Sequence, residues 1–334
     1  MEATQLDGMH DFLSSPKKII ITTHQKPDGD ALGSSLGLYH YLLKKSHTVS
    51  VITPTDYPKF LWWLPGNKKV INFEHQELKA KKLLDEADLL FCVDFNRLTR
   101  GGKFSEYAST LSLPKALIDH HLEPETDFRF IHWRVSASST AELVYEFIEK
   151  MHDESIVDRD ISTCLYTGIM TDTDNFRLPN TSANVHRIAS VLIDTGVRPD
   201  YVFERVNETF TVDRLRFFGF CMNEKMEVFP EKKTALLAIE GEELKKYKIG
   251  TGDTEGLVNM PMKIDGIRLV AMIVQRPGIV KVSFRSKGDV DVNQLAKEYF
   301  KGGGHKNAAG GQSDVSVLET RKKFLELLKD FKIN

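Results

Sequence analysis

Imidazole and carboxylate side chains recur in this sequence at spacings suited to metal chemistry. His24, Asp28 and Asp30 stand close together in His24-Gln25-Lys26-Pro27-Asp28-Gly29-Asp30. Pro27 and Gly29 bend the chain there, so the two carboxylates can each face a different ion. Asp30 can equally be read as a plain N-cap on the apolar segment that follows it. Asp94 follows Leu89-Leu90-Phe91-Cys92-Val93 and, taken alone, is an ordinary turn residue. Asp119-His120-His121 follows Ala116-Leu117-Ile118. Neutral imidazole is a common metal ligand, and an adjacent carboxylate orients it through a hydrogen bond. Thr171-Asp172-Thr173-Asp174 adds two further carboxylates, of which one is needed as a ligand.

His24, Asp28, Asp30, Asp94, His120 and Asp172 form a mixed nitrogen and oxygen donor set without thiolate. Such donors suit Mn²⁺, with Mg²⁺, Co²⁺ and Zn²⁺ also compatible. Six ligands are too many for one catalytic ion that keeps open positions. They suit two divalent ions about 3.5–4 Å apart with a bridging carboxylate. Such a pair activates water and clamps the oxygens of an in-line displacement at phosphorus, so the expected reaction is phosphoester hydrolysis.

A second motif lies near the C-terminus: Lys301-Gly302-Gly303-Gly304-His305-Lys306-Asn307-Ala308-Ala309-Gly310-Gly311. Consecutive glycines let backbone N–H groups approach an anion, and the reading here is a nest that runs into a small-residue helix, with His305 and Lys306 as added donors. Arg285 follows a β run and reads either as a phosphate fork or as a surface arginine.

The elements that must position these groups alternate. Strand-like runs are expected at Lys18–Thr23, Val49–Thr53, Leu89–Val93 and Lys115–Ile118, with helices at Ala31–Lys45, Ser139–Met151 and Val157–Ile169. This alternation implies parallel βαβ units with helices on both faces of the sheet. In open α/β sheets, ligands bind beyond the carboxyl ends of the strands, where distant polar residues converge. Helical periodicity continues at His186–Thr195, Tyr201–Val206 and Val212–Glu227, then gives way to β runs at Thr234–Ile239, Arg268–Val274 and Ile279–Arg285. Helices are expected again at Val292–Phe300 and Val317–Phe331. The expected division is residues 1–185 for the metal-binding domain, 186–229 for a helical connector and 230–334 for a smaller α/β domain. The Trp62-Trp63 pair reads as core.

Composition narrows the classes. Hydrophobic residues make up 41% and charged residues 28% of the 334, a globular balance that argues against disorder. A net charge of -2 lacks the basic excess of proteins that track long duplex nucleic acid. Cys92, Cys164 and Cys221 are odd in number and sit among apolar neighbours, so they read as reduced core thiols. No apolar run approaches the roughly 18 residues of a membrane span, and Met1 to Lys18 shows no signal pattern. The expectation is a cytoplasmic protein with no membrane partner.

Taken in order, His24-x-x-x-Asp28-x-Asp30, Asp94, Asp119-His120-His121, Asp172 and Gly302-Gly303-Gly304-His305-x-x-Ala308-Ala309-Gly310 resemble the DHH/DHHA1 phosphoesterases over nearly the whole chain. Size and motif content look most like the NrnA-type subgroup. The resemblance implies exonucleolytic degradation of very short RNAs (nanoRNA) and dephosphorylation of adenosine 3′,5′-bisphosphate. It implies that His24, Asp28 and Asp94 hold one ion and that Asp30, Asp94, His120 and Asp172 hold the other. His121 would face the reacting phosphate, with Asp119 supporting the histidines. Arg285, Gly302, Gly303, Gly304 and His305 would bind substrate, the active site lying in an interdomain cleft. Single-stranded RNA or small nucleotides are the implied partners, with a homodimer as the expected assembly. Family members often carry Gly where this chain has Asp174, which leaves the choice between Asp172 and Asp174 open; Asp172 is taken. The alternatives are a phosphodiesterase for linear or cyclic dinucleotides (pApA, cyclic di-AMP) and a non-catalytic nucleotide-binding regulator on the same fold.

Overall fold

The computed structural model describes residues 3–250 and 252–331. The chain divides into two compact units, Met1–Thr209 and Phe210–Asn334.

The first unit is built on six parallel strands: β1 (Lys18–Thr22), β2 (Thr48–Thr53), β3 (Ile71–Asn72), β4 (Leu89–Val93), β5 (Lys115–Asp119) and β6 (Phe130–Trp133). Their order is β3-β2-β1-β4-β5-β6. The connections run outward in opposite directions from β1 and β4, so the switch point that opens a crevice at the strand ends lies between these two. His24 follows one of them and Asp94 the other. Both faces of the sheet are covered. Ile19 and Ile21 join a core with α2 (Gly29–Lys44), α5 (Thr140–Lys150), α6 (Arg159–Asp172) and α7 (Ala183–Asp194). Ile20 turns the other way, to Ala80 and Leu84 of α3 (Glu77–Asp85) and to Phe104 and Ala108 of α4 (Lys103–Ala108). A strand buried on both sides has no polar alternation, and that is why the Ile run shows so plainly in the sequence. The remaining α-helices among the described residues of this unit are α1 (Ala3–Leu13) and α8 (Pro199–Asn207).

Glycine sets how closely the helices meet. A Cβ at Gly33 would stand 2.5 Å from the Cys164 carbonyl oxygen, and one at Gly37 would stand 2.4 Å from Leu165 Cδ2. At Gly168 it would lie 2.6 Å from the Ala141 Cβ. Helices α2, α5 and α6 therefore approach each other at points where glycine leaves no side chain of its own.

The second unit holds α9 (Val212–Phe220), β7 (Met226–Phe229), β8 (Thr234–Ile239), α10 (Gly241–Lys246), β9 (Leu269–Arg276) and β10 (Ile279–Ser286). It continues through α11 (Val292–Tyr299), β11 (Gly303–His305), β12 (Ala308–Ser313) and α12 (Val317–Asp330). Its sheet order is β11-β12-β10-β9-β8-β7, antiparallel except for the parallel β8–β9 pair. Separate apolar clusters cover its two faces.

Several expectations need correction. Residues 186–229 do not stand apart as a connector. Val185, Ile188, Leu192 and Val202 belong to the core of the first unit, and Phe217 and Phe218 to a core of the second. The helix expected over Val212–Glu227 is α-helical to Phe220 and continues as a π-helical turn over Cys221–Lys225; Met226–Phe229 then becomes an edge strand because β8 offers it an unpaired neighbour. Trp62 is 54% exposed, not core. Helices α3 and α4 escaped notice because they are short; α3 buries only Ala80 and Leu84.

Candidate metal centre

His24 stands just beyond β1. The Gln25 carbonyl accepts a hydrogen bond from its Nδ1 at 2.7 Å, so the proton lies on Nδ1 and Nε2 faces Asp94 Oδ2 at 3.5 Å. Asp28 and Asp30 take different tasks. Asp28 is the N-cap of α2, its Oδ1 accepting from the Asp30 and Ala31 N–H groups at 3.1 Å each. Asp30, the residue read above as a possible cap, sits inside the first turn and turns away. It is 1% exposed, and its carboxylate accepts from the backbone N–H groups of Thr140 at 2.6 Å and Ala141 at 2.9 Å, at the start of α5. One helix end thus holds the carboxylate of another helix.

Asp94 leaves β4 with a φ of 64°, the left-handed region that Asp tolerates better than most residues. Its N–H donates to the Ile118 carbonyl at 3.0 Å, which fixes this turn to β5. Asp94 Oδ2 faces His24, whereas Oδ1 faces His120 Nε2 at 3.6 Å and His121 Nδ1 at 3.7 Å. Buried His120 turns Nδ1 to the Ala137 carbonyl at 3.2 Å and Nε2 to three carboxylates: Asp172 Oδ2 at 3.4 Å, Asp94 Oδ1 at 3.6 Å and Asp30 Oδ2 at 3.8 Å. Most of these separations exceed a good hydrogen bond. They are close to the donor–donor spacing, about 3–3.5 Å, that bonds of about 2.0–2.2 Å to a shared ion produce.

Asp172 is the last residue of α6, where a helix dipole disfavours negative charge. Asp174 has a φ of 46° and its Oδ2 accepts from Arg177 Nε at 3.0 Å, so of the two aspartates Asp172 is the one beside His120. Asp119, fully buried at the end of β5, accepts from His121 Nδ1 at 2.7 Å.

The donors fall into sets whose ligating atoms lie within 4.8 Å of one another: His24, Asp28 and Asp94; Asp30, His120 and Asp172; and Asp94, Asp119 and His121. Their electrostatics suit a cation. Burial, then the charges of Asp94 and Asp172, push the Asp30 carboxyl well above the usual carboxylate range. Burial acts to raise Asp94 too, yet its hydrogen bond with His24 and the charges of the three histidines hold it below that range. Burial would lower both His24 and His120; the surrounding carboxylates outweigh it and leave both raised. Among the described residues, no lysine or arginine forms an ion pair with Asp28, Asp30 or Asp94. Buried carboxylates require a compensating positive charge, and this hard N/O donor set offers a divalent ion that place.

In the second unit, register places Arg285 opposite Ala308 and Ala308 opposite His305, so the three share one face across β10, β12 and β11. The expected helix after the glycines is instead strand β12. A Cβ at Gly302 would lie 1.9 Å from the Gly310 carbonyl oxygen, and one at Gly304, where φ is +149°, 2.5 Å from that of Ala308. These glycines allow the backbones of β11 and β12 to lie closely side by side. Nor does the run form an open nest: the Gly302 N–H donates to Ala296 O at 3.1 Å and the Gly304 N–H to Asn293 Oδ1 at 3.0 Å. Lys306 pairs with Asp289 at 3.1 Å.

Residues 18–169 match the DHH family, N-terminal domain, and residues 235–333 match the DHHA1 domain. A relative from Thermus thermophilus, the bifunctional oligoribonuclease and PAP phosphatase NrnA, is 31% identical over 327 residues, covering 93% of this chain and 89% of that protein. The chain belongs to the DHH family. A crystal structure of an exopolyphosphatase-related protein from Bacteroides fragilis superposes on this DHH protein with a TM-score of 0.95 at 36% identity, covering 99% of this chain and 97% of that one. RecJ from Thermus thermophilus, solved in complex with Mn²⁺, shares the fold at a TM-score of 0.59 and 12% identity, covering 99% of this chain and 56% of that one. No helix among the described residues is long and apolar enough to cross a membrane.

Thr140 is the residue of this DHH site that sequence reasoning passed over. Its hydroxyl donates to Asp94 Oδ1 at 2.8 Å, while its N–H serves Asp30. The Ser138-Ser139-Thr140 run before an apolar helix signals a cap, but nothing local names the carboxylates it would meet.

Proposed function

We propose that this chain is a two-metal phosphoesterase that degrades short oligoribonucleotides and removes a phosphate from adenosine 3′,5′-bisphosphate. The observation that carries this is Asp94, whose two oxygens face two separate donor sets, one holding His24 and the other His120. In this reading His24, Asp28 and Asp94 hold one ion, and Asp30, Asp94, His120 and Asp172 hold the other. When bound, such a pair supplies Lewis-acid activation of water and neutralises charge on the phosphoryl oxygens.

The remaining steps belong to side chains. Asp119 keeps the His121 imidazole in one orientation through Nδ1, which commits Nε2 to proton transfer. As the water oxygen bonds to phosphorus and the P–O bond to the leaving oxygen breaks, His121 donates a proton from Nε2 to that oxygen. Arg285 and His305 bind the part of the nucleotide that does not react. Gly302, Gly303 and Gly304 serve this role indirectly, by letting the hairpin that carries His305 lie flat.

Mn²⁺ as the resident ion, single-stranded rather than long duplex RNA as substrate, a homodimer and a cytoplasmic location belong to the same proposal. The relationship to an oligoribonuclease and PAP phosphatase supports the substrate class, and the net charge of -2 supports short substrates. The test is a product time course with Mn²⁺ on labelled RNAs from the dinucleotide upward, beside adenosine 3′,5′-bisphosphate and cyclic di-AMP. Rapid loss of the shortest RNAs and of the bisphosphate supports the reading; preference for cyclic di-AMP reassigns the substrate. Turnover that survives Asp94→Ala sinks the site.

A further inference from the structure

We propose that Thr140 is a positioning residue: it fixes the plane of the Asp94 carboxylate so that one side chain serves both halves of the metal cluster. The inference rests on the metal reading above.

Thr140 is the first residue of α5 and is fully buried. The first N–H groups of a helix lack partners within the helix and favour negative charge. Here those of Thr140 and Ala141 grip Asp30 at 2.6 and 2.9 Å. The Thr140 hydroxyl reaches past Asp30 to Asp94 Oδ1 at 2.8 Å. Two carboxylates from different elements are thus referenced to one residue.

That residue is itself held firmly. Ser139 caps α5, its Oγ accepting from the Glu142 N–H at 3.1 Å, and the Glu142 carboxylate returns to the Ser138 N–H at 2.6 Å. The same carboxylate accepts from Arg134 at 3.0 Å and from Asn184 at 3.1 Å. The clamp is therefore a rigid feature of the helix end.

Asp94 needs such a reference. Rotation about the terminal torsion of an aspartate is broad and roughly two-fold, so an unheld carboxylate samples many planes. One hydrogen bond on Oδ1 selects the plane in which Oδ2 faces His24 at 3.5 Å while Oδ1 faces His120 at 3.6 Å. A carboxylate oxygen has two lone-pair sites, so Oδ1 can accept from Thr140 and still ligate. The competing reading is that Thr140 merely fills space under α5. Valine separates the two: it keeps the branched shape and the backbone N–H to Asp30 and removes only the hydroxyl.

The experiment uses the full chain, stripped with chelator and titrated with MnCl₂ by calorimetry, with electron paramagnetic resonance reporting whether bound ions are spin-coupled. The parent should take up two ions as a coupled pair. Thr140→Val should keep the parent's metal-free melting temperature, bind at least one ion about 10–100-fold more weakly, and show uncoupled Mn²⁺. Thr140→Ser should restore uptake and coupling. Parent-like uptake by Thr140→Val overturns the proposal. So does a Thr140→Ser that fails as Thr140→Val does with a lowered metal-free melting temperature, since that marks a packing role. A parent that takes up no Mn²⁺ overturns the metal reading itself.

Discussion

Gly33 of α2 stands against the carbonyl oxygen of Cys164 on α6, so closely that a Cβ at position 33 would lie 2.5 Å from it. The obstructing atom is backbone and cannot swing aside. From the other side, a Cβ at Gly168 would come within 2.9 Å of Asp30 Oδ1. The helices that carry Asp30 and Asp172 therefore owe their separation to glycine. Gly33→Ala should cost about 1–3 kcal/mol in urea unfolding, the usual penalty for overpacking. It should also weaken Mn²⁺ uptake, because parting α2 from α6 draws Asp30 away from Asp172. Unaltered uptake in a destabilised variant would show that the close approach serves packing alone.

Occupancy of the cluster should couple to folding. An ion that binds only the folded chain adds about 2.7 kcal/mol at a hundred times its Kd. Mn²⁺ should therefore raise the unfolding midpoint and chelator should return it. Asp94→Asn should abolish that response and lower turnover by at least about 10²-fold, the scale for losing one preorganised charge-stabilising group. Asp174→Asn is the control: its carboxylate is engaged by Arg177, so response and turnover should both persist. If the Asp174 variant loses the metal response and the Asp94 variant keeps it, the ligand set is wrong.

The parallel sheet could be read from the sequence because Ile19, Ile20 and Ile21 are buried on alternate faces and leave no polar gap, so the run ends visibly just before His24. The meeting of His24, Asp94 and His120 follows from that pattern, since residues past the ends of neighbouring parallel strands share a rim. What Asp30 binds could not be read. Its partners are the N–H groups of Thr140 and Ala141, far along the chain, and a backbone N–H carries no residue identity. The glycine run misled for a related reason. Glycine that frees N–H groups for an anion and glycine that lets position 302 lie against Gly310 look alike in one dimension. Trp62 and Trp63 are adjacent, and local hydrophobicity does not say which of two neighbours faces solvent.

In the function proposed above, His121, hydrogen-bonded through Nδ1 to Asp119 at 2.7 Å, transfers a proton rather than holding an ion. His121→Ala should lower kcat by about 10²–10⁴-fold, the usual contribution of general acid–base catalysis. Mn²⁺ uptake should be retained. Asp119→Asn should show a smaller loss of the same kind, because the imidazole loses the carboxylate that orients it. The measurement is kcat for both variants beside a Mn²⁺ titration. Loss of metal binding in His121→Ala would move this histidine into the ligand set.

His132 on β6 gives the first unit a pH dependence independent of the metal cluster. Its ring is 2% exposed, and burial, reinforced by the charges of Lys150 and Arg134, pushes its pKa down to about 3; Glu146 Oε2 lies 4.0 Å from Nε2. Unfolded, the imidazole titrates near 6.5. Between these values the unfolded chain binds the extra proton, so stability falls as the pH drops below 6.5. The slope from this residue approaches about 1.4 kcal/mol per pH unit, and it vanishes above 6.5, where both states are neutral. Urea unfolding in chelator at neutral pH and near pH 5 should therefore show the parent losing about 2 kcal/mol more than His132→Gln. Parallel losses in the two proteins would mean that the folded chain holds the ring protonated beside Glu146.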